Sequence, residues 1–133
     1  MIQNGLRARD LINIELDTRR PGKAAADILA ARSKGVVCAN DATAATLLRA
    51  LLDLGAEIPS SLQVCGFDDV KYASLLSVPL TSYRQPCDDI GKIAVNTMIS
   101  RIKHPDTPAQ RITLKGELIV RDSALGAVRK EIQ

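Results

Sequence analysis

The chain has 133 residues, 46% hydrophobic and 25% charged, the make-up of one compact globular domain, which excludes a disordered or collagen-like chain. With 18 Lys and Arg against 15 Asp and Glu, the formal net charge is +3, too small to neutralise many phosphates, so any DNA role is expected to be indirect. No apolar run approaches the roughly 18 residues of a membrane span, and Met1-Ile2-Gln3-Asn4 opens no secretion signal, so a cytoplasmic protein is expected.

Along the chain, Leu11-Ile12-Asn13-Ile14-Glu15-Leu16 alternates apolar and polar, which predicts a strand. The Ala- and Leu-rich segment 21–34 has Pro21 near its start and Gly35 at its end, the entry and exit signals of a helix. Val36-Val37-Cys38-Ala39 reads as a parallel strand buried on both faces. Asn40 or Asp41 can cap the helix that follows, and Gly55 stops it. After Pro59-Ser60-Ser61 comes a third strand, Leu62 to Phe67, ending in Asp68-Asp69. Beyond this βαβαβ unit lie a short strand Leu80–Tyr83, a helix from about Asp88 to Lys103, a loop with Pro105 and Pro108, and a strand region Arg111–Arg121 broken at Gly116. The tail AVRKEIQ is expected to fray. The pattern predicts an α/β fold, a doubly wound parallel sheet flanked by helices.

Cys38, Cys65 and Cys87 lack C-x-x-C spacing and the single histidine is His104, so no metal site is expected and the thiols read as buried small hydrophobes in a reducing compartment. Phe67, Tyr72 and Tyr83 are the only aromatics, so a stacking wall for a nucleobase or sugar would come largely from elsewhere. In an open parallel sheet the ligand crevice lies at the carboxyl ends of the strands. Asn40-Asp41 closes one strand and Asp68-Asp69 the next, so these side chains can converge. The alternative is that Asp41 is a helix cap and Asp68-Asp69 a turn. Converging carboxylates and an amide accept hydrogen bonds from hydroxyls or amines, which suits sugars, polyols and nucleosides.

Catalysis is the weaker reading. Asp41, Asp68 and Asp69 could hold Mg²⁺ for phosphoryl transfer or act as a phosphoacceptor, but there is no GxxxxGK[ST] loop, no Gly-x-Ser-x-Gly elbow and no histidine near a nucleophile. No cofactor is expected. A helix-turn-helix is rejected because Pro59 and a strand-like run occupy the place of a recognition helix.

Five motifs in register carry a resemblance: Val36-Val37-Cys38-Ala39-Asn40-Asp41, Leu54-Gly55-Ala56-Glu57-Ile58-Pro59, Val64-Cys65-Gly66-Phe67-Asp68-Asp69, Pro79 to Pro86, and Gly116 to Ser123. In order and spacing they resemble the carboxyl-terminal, periplasmic-binding-protein-like part of LacI/GalR-family transcription regulators, from about Gly35 to Ser123. The resemblance implies a partial effector-binding and dimerisation domain over 1–133, with a second-lobe core at 9–85 and a crossover helix and terminal strands at 86–123. It implies a non-enzymatic sensor of a sugar- or nucleoside-like effector, with Asn40, Asp41 and Asp68 facing the cleft and Gln85 reaching it from the crossover. Asp69 is implied to be a turn residue. It implies a homodimer, possibly exchanged, through Thr46, Leu47, Ala50, Tyr72, Leu75 and Leu76, although those leucines fit an intramolecular core equally well. DNA contact is expected only through an amino-terminal helix-turn-helix, to which nothing in this sequence corresponds. Because the chain crosses lobes near 80–86 in that family, the apolar stripe Ile90, Ile93, Ala94, Thr97, Met98 and Ile102 needs a cover. The helix is therefore expected either to fold back on its own sheet or to pack on a second copy.

Overall fold

The computed structural model describes residues 11–124; the expected fraying of the tail lies outside them. Helix α1 spans Pro21–Ala30, β1 Gly35–Val37, α2 Asp41–Asp53, β2 Gln63–Phe67, β3 Thr81–Arg84, α3 Cys87–Lys103 and β4 Glu117–Ile119. Short 3₁₀ turns occupy Lys71–Leu75 and Asp122–Ala124. The sheet order is β1-β2-β3-β4, with β1, β2 and β3 parallel and β4 antiparallel to β3. This is the expected α/β architecture with a predominantly parallel sheet.

Helix α2 follows its local signals closely. Asn40 is the N-cap, its side-chain oxygen accepting from the Thr43 amide at 2.8 Å, and so satisfies a donor that the first turn leaves free. At the other end Gly55 has φ +78°, and its amide and that of Ala56 donate to Leu52 O and Leu51 O, the Schellman arrangement that glycine permits. Ala44, Leu47, Leu48 and Leu51 face inward and join Ala25 and Ile28 of α1, Leu62, Val64 and Leu80 in one core.

Two expectations near the start are corrected. Leu11–Leu16 forms no strand and joins no sheet among the described residues; Ile14 and Leu16 still pack on the core, so the alternation marks an inward face without a ladder. Gly35 does not end α1. The helix stops at Ala30 through Arg32, a non-glycine residue at φ +51°, and Gly35 opens β1.

The expectation that β1 is buried on both faces is also corrected. Register places Val36 beside Val64 and Ser82 beside Ile119 on the face that packs on α2, and there Val64 and Ser82 are fully buried. On the other face Val37 pairs with Cys65, and Phe67 and Leu118 both pair with Tyr83. Val37 is 80% exposed and Leu118 53%. A parallel strand is buried twice only when two layers cover it, and the described residues supply one.

Helix α3 does not fold back on its own sheet, which corrects the first of its two expected covers: none of its residues is buried. Its stripe, with residues 110–114 alongside, forms an apolar groove of about 900 Å³. Cys38 is buried, but Cys65 is half-buried and Cys87 exposed at the start of α3, so the three thiols are not all core residues. Burial, with the nearby Cys65 and Asp41, pushes the Cys38 thiol up to about 11, which leaves it protonated and inert at neutral pH. No helix among the described residues is long and apolar enough to cross a membrane.

Candidate functional site

Parallel pairing brings the carboxyl ends of β1, β2 and β3 side by side, as a crevice at strand ends requires. Asp68 directly follows β2, Gln85 directly follows β3, and Asn40 lies three residues beyond β1. All three are half-buried. Gln85 Nε2 donates to Asp68 Oδ1 at 2.7 Å, so two of the expected ligand residues are in direct contact. Among the described residues, the cap bond leaves the Asn40 amide nitrogen as an available donor, while Asp68 Oδ2 and Gln85 Oε1 are available acceptors. Among the described residues no lysine or arginine forms an ion pair with Asp68.

Asp41 is enclosed behind these residues rather than open to a ligand. It is 0% exposed; Oδ2 accepts from the Val70 amide at 2.9 Å and Oδ1 from the Ser82 hydroxyl at 2.6 Å. Gly66 faces it across the sheet, and a Cβ at that position would run into Asp41 Oδ1. The role of Asp41 is to hold the chain between Asp68 and the 3₁₀ turn.

Asp69 is likewise inward, its side chain 4% exposed between Arg84 and Arg121. Arg84 Nε donates to Oδ2 at 2.7 Å, and Arg121 Nη2 lies 2.7 Å from Oδ1 as an ion-pair contact without hydrogen-bond alignment. Burial pushes the Asp69 carboxyl up, but the contacts with Arg121 and Arg84 outweigh it and hold the group below its ordinary value of 3.8. A group with a depressed folded pKa contributes stability above its unfolded pKa and loses it as pH falls through the folded value. Wild-type protein should therefore lose urea resistance as pH drops from about 4 downward, and Asp69→Asn should lose less over that window. Equal losses would mean that the ion pairs do not form.

These positions do not support the phosphoryl-transfer alternative. Asp41 and Asp69 are committed to protein donors on the inner side, and no group of three metal-binding side chains occurs among the described residues. Of the expected interface residues, Leu47 and Ala50 belong to the chain's own core, Leu76 packs partly against it, and the Thr46 hydroxyl donates to Ala42 O at 2.9 Å. Tyr72 and Leu75 project outward, Leu75 being 81% exposed.

Sequence reasoning missed Ser82, Arg84, Arg121 and Ser123 as parts of the scaffold. The Ser123 hydroxyl donates to Val64 O at 2.6 Å and accepts from the Thr81 amide at 2.8 Å, tying the 3₁₀ turn after β4 to β2 and β3. A signal was available: Arg84 and Arg121 lie within the quoted motifs, and Asp69 had no local partner.

The chain matches the periplasmic binding protein-like domain over residues 1–124. It is 35% identical to the HTH-type transcriptional regulator MalR of Streptomyces coelicolor over 120 residues, 90% of this chain and 35% of that protein. It is 37% identical to the ribose operon repressor of Escherichia coli K12 over 93 residues, 70% of this chain and 28% of the repressor. A LacI family transcriptional regulator from Enterococcus faecalis V583, crystallised with bound ribose, superposes with a TM-score of 0.73 at 32% identity, covering 86% of this chain and 43% of that one. The fold and the domain match thus define a periplasmic-binding-protein-like domain. The chain belongs to the LacI/GalR family of transcription regulators and spans about a third of the length of the curated relatives it matches.

Proposed function

We propose that this chain supplies one wall of an effector cleft in a transcription regulator, and that the effector is a neutral sugar or related polyol. The carrying observation is the Asp68–Gln85 pair at the ends of two adjacent parallel strands, with Asn40 at the end of the third. Asp68 carries a charge that no basic side chain among the described residues offsets, so the groove accepts hydroxyl donors and repels anions. Asn40, Asp68 and Gln85 are the ligand groups in this reading, and Asp41 supports them from behind. The relative that represses a ribose operon and the neighbour crystallised with ribose favour a sugar over a nucleoside. Ligand closure of the cleft is then coupled to DNA binding through a helix-turn-helix of the kind MalR is named for. Residues 9–85 form the second-lobe core, and 86–123 carry the crossover.

The test is a ¹⁵N-resolved titration of the chain with D-ribose and with ribose 5-phosphate. Ribose should shift amides at Asn40, Asp68 and Gln85, and ribose 5-phosphate should bind at least roughly tenfold more weakly, about 1.4 kcal/mol of repulsion. Asn40→Asp keeps the cap acceptor but removes the amide donor, and should weaken ribose without loosening α2. Shifts confined to the α3 groove, or none at high millimolar sugar, would reject the reading.

The same proposal makes the protein a homodimer. Tyr72, Leu75, the apolar side of α3 and the outer sheet face are uncovered, and leaving several such side chains wet forfeits about 1.5–3 kcal/mol each. Sedimentation should give a dimer, and Leu75→Asp should shift it toward monomer; a strictly monomeric wild type at high micromolar concentration would refute dimerisation.

A further inference from the structure

We propose that Asp69 is a positioning residue of the strand-end groove, holding Asp68 and Gln85 in register through its contacts with Arg84 and Arg121. This rests on the functional reading above only for its bearing on the effector. The geometry is a double rung: the consecutive residues Asp68 and Asp69 bind the consecutive residues Gln85 and Arg84, at 2.7 Å for the outer rung and 2.7 Å for the inner one.

The turn that carries the two aspartates is held against its own preference. Asp68 has φ +112° and Asp69 φ +53°, a region that side-chain-bearing residues keep only where the surroundings impose it. Three successive amides show what imposes it: Asp68 N donates to Tyr83 O at 2.9 Å, Asp69 N to the Ser82 hydroxyl at 3.0 Å, and Val70 N to Asp41 Oδ2 at 2.9 Å. These bonds anchor the main chain. The Asp69 side chain adds a tie to two other segments, the end of β3 and the stretch after β4.

Charge accounts for the division of labour between the rungs. Asp69 and Glu117 face Arg84 and Arg121, with Arg84 Nη1 3.6 Å from Glu117 Oε2, so the cluster is neutral within itself. The arginines are occupied, and Asp68 keeps its charge for a ligand. Arg121 Nη1 also donates to Leu80 O at 2.8 Å, which fixes the guanidinium from below. A loss of charge at Asp69 frees Arg84 to swing, and the adjoining Gln85 loses its register with Asp68.

The experiment uses the full chain and reads the Gln85 side-chain amide by ¹⁵N spectroscopy. Asp69→Asn should speed its hydrogen exchange roughly tenfold, the protection typical of one net hydrogen bond, and should move its resonance toward that of a free carboxamide. Leu48→Ala, which loosens the core without touching the cluster, should leave both unchanged in the folded protein. Arg84→Lys should give an intermediate effect, because an ammonium cannot form the aligned contact of the guanidinium. If Asp69→Asn does not fold, Arg84→Gln serves instead, since Arg84 is half exposed, and the same acceleration is expected. The proposal is overturned if Gln85 exchanges at the wild-type rate in the cluster variant, or if Leu48→Ala accelerates it equally. Ribose titration of wild type is a separate arm: its failure rejects the sugar reading while the Gln85 result stands alone.

Discussion

Asp41→Ala is expected to cost about 4 kcal/mol of folding stability, from two orphaned buried donors at roughly 1–3 kcal/mol each. The donors are the Val70 amide and the Ser82 hydroxyl, and the carboxylate that serves them is 0% exposed. No water replaces it without a cavity, and the space vacated is bounded by Gly66, Leu80 and the start of α2. A domain of this size has about 5–15 kcal/mol in total, so the variant should stand near its unfolding threshold. Urea unfolding followed by circular dichroism measures this directly. Asp41→Asn retains one acceptor and should fall between the two, whereas a loss below about 1 kcal/mol for the alanine variant would show that the carboxylate is not a buried acceptor. The same substitution should disturb the groove, because Val70 N is the third anchored amide of the turn that carries Asp68.

Gly66→Ala should be nearly as costly, about 3 kcal/mol, at the upper end for overpacking a filled interior. The added methyl meets Asp41 Oδ1 and comes 2.9 Å from Leu80 Cδ2. Neither can yield: Asp41 is pinned by Ser82, and Leu80 is fully buried. The two substitutions are predicted to couple. In an Asp41→Ala background the clash with the carboxylate is gone and Leu80 gains room to shift into the vacated space, so Gly66→Ala should then cost less than about 1 kcal/mol, and the double variant should be more stable than the sum of its parts. Additive losses would mean that Gly66 is small for a reason unrelated to Asp41. The pair thus tests whether this glycine makes room for a buried carboxylate.

These two predictions also mark where sequence reasoning reached its limit. Asn40 and Asp41 stand together at a strand end, and either could cap α2 or face a ligand. Which does what depends on Gly66 and Ser82, which neighbour Asp41 only after β1, β2 and β3 are laid side by side. Asp68 and Asp69 pose the same ambiguity. Their roles separate because Arg84 and Arg121 arrive from β3 and from beyond β4 to claim the second of them.

Local chemistry was legible directly. A cap at Asn40 or Asp41, the stop at Gly55, the β-branched strand before the Asn-Asp pair and the Asp68-Asp69 pair closing β2 are written in neighbouring residues, and the elements formed near those places. Errors arose where a local signal has two meanings. Gly35 could end a helix or open a strand, and Leu11–Leu16 alternates correctly but joins no sheet among the described residues. Alternation states which side of a segment is apolar and says nothing about whether another backbone lies alongside it.

The sequence by itself determined the α/β class, the polar residues that close neighbouring strands, and membership of the family, because these depend on short-range patterning and on motifs in order. Only the tertiary structure decided which carboxylates are enclosed by protein donors, which leucines belong to the chain's own core, and that α3 and one side of the sheet stand uncovered among the described residues. Those outcomes depend on contacts between residues far apart in the chain, where burial removes water as a competing partner and makes each buried acceptor or ion pair exclusive.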